Sequence, residues 1–72
     1  MRGMNAVLEV VVNGEKASTQ ARTLAELLVE LGYGDAKVAT ACNGDFVPLR
    51  KREAVELTGG DTIEIVAPRQ GG

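Results

Sequence analysis

The first apolar run, Ala6-Val7-Leu8-Glu9-Val10-Val11-Val12, is dominated by β-branched residues and carries one charge in its middle. That pattern predicts a strand wetted on the Glu9 side. Side chains alternate between faces, so Leu8, Val10 and Val12 are expected inward, and Val7, Glu9 and Val11 outward. Asn13-Gly14 follows at once. Both central residues of a type I′ turn need φ > 0, which this pair supplies, so Glu15 to Thr19 reads as the return strand of a hairpin. The period then changes. Thr23-Leu24-Ala25-Glu26 fits a capping box. Leu24, Leu27, Leu28 and Leu31 fall at i, i+3, i+4 and i+7, a single apolar stripe on a helix. Gly32 and Gly34 supply the stop, and Tyr33 is expected to pack on the helix edge.

Val38 to Asn43 is the third expected strand, with Val38, Thr40 and Cys42 inward. An inward Thr40 requires a hydrogen bond to offset its burial. Asn43-Gly44-Asp45 turns, and Phe46-Val47-Pro48 is a short fourth strand that Pro48 confines to an edge. Leu49 to Glu53 is charged and expected to be irregular, with Lys51-Arg52 solvated like Glu26 and Glu30. Val55 and Leu57 pin this crossover to the core. After Gly59-Gly60-Asp61, the segment Thr62 to Ala67 alternates as a half-buried strand with Ile63 and Ile65 inward, and Pro68 ends it. The expected architecture is α+β: a mixed sheet of four to five strands with one main helix on one face. Residues 1–67 form the domain and residues 68–72 a flexible tail.

Composition narrows the function. A 72-residue chain makes one small domain with no room for a deep catalytic cleft. The chain has no His and a single Cys, Cys42. Disulfides, zinc sites built from Cys and His, and Ser–His or Cys–His nucleophile pairs are thereby excluded. No catalytic or metal-ligating set is expected, and Cys42 is read as a small core residue. A lone cysteine and the lack of a signal-peptide pattern point to the cytoplasm; Met1 and Met4 are both candidate starts. The net charge is −2, and the aromatics are only Tyr33 and Phe46, which argues against nucleic-acid binding. Val7 to Val12 is too short to span a bilayer. No Gly-x-x-x-x-Gly-Lys-Ser/Thr loop is present, so the chain is not expected to bind ATP. Two helical turns are too few for a dimer seam, so the free protein is expected to be a monomer. Such a chain is suited to being bound, carried or modified.

The sequence stops on Gly71-Gly72. A terminal glycine pair passes through channels too narrow for other residues and accepts whatever φ/ψ they impose. Its carboxyl carbon is uncrowded, as enzymes that activate a C-terminus with ATP require. The five residues from Pro68 span about 16 Å when extended, so Arg69 and Gln70 would accompany the glycines into a partner.

Three segments together resemble a known family. Asn43-Gly44-Asp45-Phe46-Val47-Pro48, Gly60-Asp61-Thr62-Ile63-Glu64-Ile65-Val66 and Pro68-Arg69-Gln70-Gly71-Gly72 look like the ThiS family, the bacterial sulfur carriers of thiamine biosynthesis. The likeness runs over essentially the whole chain, including Val12-Asn13-Gly14-Glu15 and the leucine helix. The chain departs from it where Leu49 intervenes between Pro48 and Arg50, where Arg50-Lys51-Arg52-Glu53 lacks an aromatic, and at Arg69. The resemblance implies a ubiquitin-like β-grasp fold whose first and last strands are parallel neighbours at the sheet centre. It also implies a cycle on Gly72. An E1-like adenylyltransferase, using ATP and Mg²⁺, would convert the carboxylate to an acyl-adenylate. A sulfur donor such as a cysteine desulfurase would turn it into a thiocarboxylate, and a thiazole synthase would take the sulfur. The carrier would be a co-substrate, not an enzyme, and would hold no cofactor itself.

Docking is expected on the sheet face away from the helix, through Val7, Val11 and Val66 with Ala39 and Ala41 beside them, because exposed apolar patches mark partner sites. Other functions remain open at this level: the molybdopterin-synthase small subunit, a ubiquitin-like modifier joined to lysines, and a non-covalent β-grasp interaction module.

Overall fold

In a computed structural model that describes residues 6–34 and 36–67, the chain runs β1 (Leu8–Val12), β2 (Glu15–Thr19), α1 (Leu24–Glu30), β3 (Ala39–Cys42), β4 (Asp45–Val47), a 3-10 helix (Leu49–Ala54) and β5 (Thr62–Val66). The strands form one five-stranded sheet in the order β2-β1-β5-β3-β4. The last strand is therefore central. It lies parallel to β1, with Val11 opposite Thr62 and Val12 opposite Ile63, and antiparallel to β3. This is the α+β, ubiquitin-like β-grasp arrangement.

Local chemistry explains the elements. Asn13 and Gly14 have φ of 51° and 86°, and Asn43 and Gly44 have 53° and 88°. Both hairpins thus close on Asn-Gly pairs that tolerate the left-handed region. Thr23 caps α1: its Oγ1 accepts from the Glu26 backbone N–H at 3.2 Å. The Glu26 carboxylate reaches back to the Arg22 N–H at 2.7 Å, one residue earlier than a strict capping box. The helix ends as its glycine predicts. With Gly32 at φ 93°, its N–H donates to Val29 O, and the Tyr33 N–H donates to Leu28 O at 2.8 Å. That pair of bonds is a Schellman closure, and it turns Tyr33 back onto the core beside Leu28.

The core lies between the helix and one face of the sheet. Leu24, Leu27 and Ile63 are fully buried, with Val10, Leu28, Val47, Leu57 and Ile65 close behind. Each large aliphatic side chain so placed contributes about 1.5–3 kcal/mol. The inward phases of β1 and β5 are as expected. The crossover is pinned at the start of α1, where the Leu24 N–H donates to Val55 O and the Leu57 N–H to Arg22 O, both at 2.9 Å.

Two features of the crossover differ from expectation. Leu49 to Ala54 is an ordered 3-10 helix started by Pro48, whose φ of −67° suits it. Arg52, expected in solvent, is only 7% exposed. Its Nε donates to Thr40 Oγ1 at 3.0 Å and its Nη2 to Val38 O at 2.6 Å. A planar guanidinium can be buried when its donors find acceptors and its methylenes pack. The same contact settles the inward Thr40: its hydroxyl accepts from Arg52 and donates to Val47 O at 2.8 Å.

Candidate functional site

Every candidate feature converges on β5, the strand that leads toward residues 68–72. Its backbone pairing with β1 ends at Val12 and Ile63, yet it is held for two residues more by a side chain. The Asn13 N–H donates to Ile63 O at 2.9 Å. Asn13 Oδ1 then accepts from the Ile65 N–H at 2.8 Å, while its Nδ2 donates to Ile65 O at 3.2 Å. The amide of Asn13 thus takes the place of a ladder residue. Asn43 does similar work at the strand's start, accepting from the Thr62 N–H at 2.9 Å and donating to Asp61 Oδ1 at 3.0 Å. An Asn-Gly pair signals its turn from sequence; the second task of its side chain depends on a strand some fifty positions away and leaves no local trace.

The sheet face opposite α1 carries the expected docking residues. Register places Val11 opposite Lys16 and Thr62, Ala39 opposite Val66, and Ala41 between Glu64 and Phe46. Paired residues project from the same face, so Val11, Ala39, Ala41 and Val66 share it. Val66 is 63% exposed, and Val7, just before β1, is also exposed. Sequence reasoning missed Phe46, which is 69% exposed on this same face. The alternation that buries Val47 was the signal that could have found it. Arg69, Gln70, Gly71 and Gly72 lie outside the described residues, as does the tail boundary at 68.

Where β3 starts and β5 ends there is an open groove. Lys37, Val38, Ala39, Leu49, Arg52 and Val66 line it, and Leu49 is 73% exposed.

Cys42 is half-buried against the core. Burial pushes its thiol above the ordinary 9.0, and the carboxylates of Asp61 and Asp45 push it the same way. A thiol held protonated is a poor nucleophile. Cys42→Ala should therefore leave any sulfur chemistry at Gly72 intact, and the parent thiol should alkylate several-fold more slowly at pH 8 than in the unfolded chain. Because folding favours the protonated form, that contribution to stability is present below pH 9.0 and fades as pH rises through the raised value. Thermal melts across pH 8–11 should show a smaller decline in the alanine variant. Among the described residues no cluster of His, Cys, Asp or Glu could hold a metal ion. No helix among them is long and apolar enough to cross a membrane.

Comparison with known proteins agrees with this architecture. Over 90% of its length the chain superposes on the whole of the thiamine biosynthesis protein (ThiS) crystal structure from Geobacter metallireducens, with a TM-score of 0.75 and 26% identity. It is 39% identical over 66 residues to a protein named thiazole synthase from Paramagnetospirillum magneticum, covering 90% of this chain but only 20% of that one. The sequence model of the ThiS family matches residues 5–72, the full sheet, the helix and the Gly71-Gly72 pair together. On that match, the chain belongs to the ThiS family.

Proposed function

We propose that the chain is a sulfur carrier for thiazole formation in thiamine biosynthesis, with Gly72 as the group that is loaded and discharged. The observation that carries this reading is the extent of the family match, which continues through β5 into Gly71-Gly72. A carboxylate is a poor electrophile. An E1-like adenylyltransferase using ATP and Mg²⁺ gives the Gly72 carboxyl a leaving group, AMP. The outer sulfur of a persulfide, such as a cysteine desulfurase carries, attacks the acyl carbon and expels AMP, leaving an acyl disulfide. A second thiol of the partner machinery then cleaves that S–S bond, forming a disulfide with the donor cysteine and releasing the thiocarboxylate, which is delivered to a thiazole synthase. The metal and the groups that neutralise phosphate charge belong to the partner. The Paramagnetospirillum relative supports that acceptor, since the similar stretch there is a fifth of a polypeptide named thiazole synthase. Carrying sulfur on a protein raises its effective concentration at the acceptor. The carrier acts as co-substrate, in the cytoplasm.

The decisive experiment mixes the protein with ATP, Mg²⁺, an E1-like adenylyltransferase and a sulfur donor, then weighs the C-terminal peptide. Exchange of one oxygen for sulfur at Gly72 supports the reading. An unchanged peptide rejects it, and attachment to lysines would indicate a modifier instead.

Val7, Val11, Ala39, Ala41 and Val66 serve as the docking face for the adenylyltransferase. Val11→Asp should weaken that complex on the order of tenfold, a typical loss when a charge enters an apolar contact, while the melting temperature stays near that of the parent. An unchanged Kd in a folded variant would remove the sheet face from the proposal.

A further inference from the structure

We infer that Asn13 and Asn43 are sites of self-modification, each converted to aspartate or isoaspartate by attack of its own backbone, and that docked β5 restrains both reactions. The inference stands on local chemistry and does not depend on the sulfur-carrier reading. Both asparagines are exposed, and each is followed by a glycine, Gly14 or Gly44. With no Cβ on that glycine, its amide nitrogen approaches the asparagine Cγ unhindered. The nitrogen gives its proton to solvent base and bonds to Cγ. The Cγ–Nδ2 bond breaks, ammonia leaves, and a cyclic imide closes. Water then opens the imide. Addition at Cγ gives aspartate, and addition at the backbone carbonyl gives isoaspartate, which carries an extra methylene in the main chain. The net change consumes water and releases ammonia, with nothing oxidised or reduced.

The restraint acts on the first step. Asn13 Oδ1 accepts from the Ile65 N–H at 2.8 Å, and its Nδ2 donates to Ile65 O at 3.2 Å. Asn43 Oδ1 accepts from the Thr62 N–H at 2.9 Å, and its Nδ2 donates to Asp61 Oδ1 at 3.0 Å. Ring closure lays each amide carbon against the peptide that follows it, so the side chain must first leave these partners. Packing adds no shield: a Cβ on Gly14 or on Gly44 would meet nothing within 4 Å. Two hydrogen bonds of ordinary net strength make the released amide on the order of tenfold rarer than the bonded one, or more. The product cannot resume the same contacts, because a carboxylate has no N–H to donate. At position 13 it would face the Ile65 carbonyl, and at position 43 the Asp61 carboxylate, a like charge. Detachment of β5 therefore speeds a change that weakens its return, and the two turns keep a covalent record of how long the strand has been away.

The test incubates the full-length chain in mildly alkaline buffer, with and without denaturant, and weighs the peptides carrying Asn13 and Asn43 over time. Exchange of the side-chain NH₂ for OH marks conversion, and chromatography separates aspartate from isoaspartate. Each asparagine should convert at least about tenfold faster in the unfolded chain than in the folded one. Gly14→Ala, compared in denaturant so that folding plays no part, should slow conversion at position 13 and leave Asn43 at its parental rate. Asn13→Asp and Asn43→Asp stand in for the aspartate products. Each should melt about 4–8 °C below the parent, the shift expected for the loss of an ordinary hydrogen bond in a domain this small. Four results would each overturn the inference: no conversion in the unfolded chain, a folded rate within about twofold of the unfolded rate at either asparagine, no slowing by Gly14→Ala, or aspartate variants that melt with the parent.

Discussion

Deleting Gly72 should leave a domain that melts where the parent melts but that no longer becomes a thiocarboxylate. The body of the fold is closed by strand pairing that reaches no further than Val66 and by core residues no later than Ile65, so its stability should not depend on the final glycine. Removing one residue withdraws the reacting carboxyl by about 3.5 Å. A misplacement of about 1 Å can cost on the order of 10²-fold in rate, so loading should fall by at least that much. The same variant should still bind the adenylyltransferase through the body. Mass spectrometry of the loading reaction reads the first outcome and calorimetry the second. A truncated chain that accepts sulfur at the parental rate would show that the terminal glycine is not the site of chemistry.

Leu27→Ala should remove a large share of the stability of the domain. Leu27 is fully buried where α1 meets the sheet, in the same cluster as Ile63 and Ile65. Its truncation removes transfer free energy and leaves a cavity, together about 2.7–5 kcal/mol. A domain of this length is stable by only about 4–11 kcal/mol, taking roughly 0.05–0.15 kcal/mol per residue. The melting temperature should fall by roughly 10–40 °C, at about 4–8 °C per kcal/mol for a domain of this size. Val29→Ala, on the exposed side of the same helix, should change stability by less than about 0.5 kcal/mol. Equal effects from the two substitutions would contradict the burial described for α1.

These contrasts show which parts of the molecule its sequence announces. Strand phases in β1 and β5 follow from alternation, because Glu9 and Glu64 mark the wet face and leave Val10, Ile63 and Ile65 on the other. Thr23 and Gly32 mark the helix ends through rules that span three to five residues. The buried Arg52 could not be read this way. Within Arg50-Lys51-Arg52 nothing distinguishes one cation from its neighbours, and the groups that receive the guanidinium, Thr40 and Val38 O, stand 12 and 14 positions earlier. The inward Thr40 was the trace left in the sequence: a buried hydroxyl demands a partner, though not a particular one. The apolar sheet face was legible from Val7, Val11 and Val66, whereas the groove depends on the 3-10 helix bringing Leu49 beside Val66. The chemistry assigned to Gly72 comes from sequence and family together.

The central place of β5 has a consequence for how the protein is made. Without this strand the sheet is two separate hairpins, β1–β2 and β3–β4, that never touch as neighbours. Pairing across more than fifty positions must wait for the strand that supplies it. A ribosome that stalls before Val66 would release a chain with two raw sheet edges, fit for proteolysis rather than for handling sulfur. Any copy that has folded has been translated at least through Val66, six residues before Gly72, so the architecture acts as quality control on the strand that leads to the proposed carrier site.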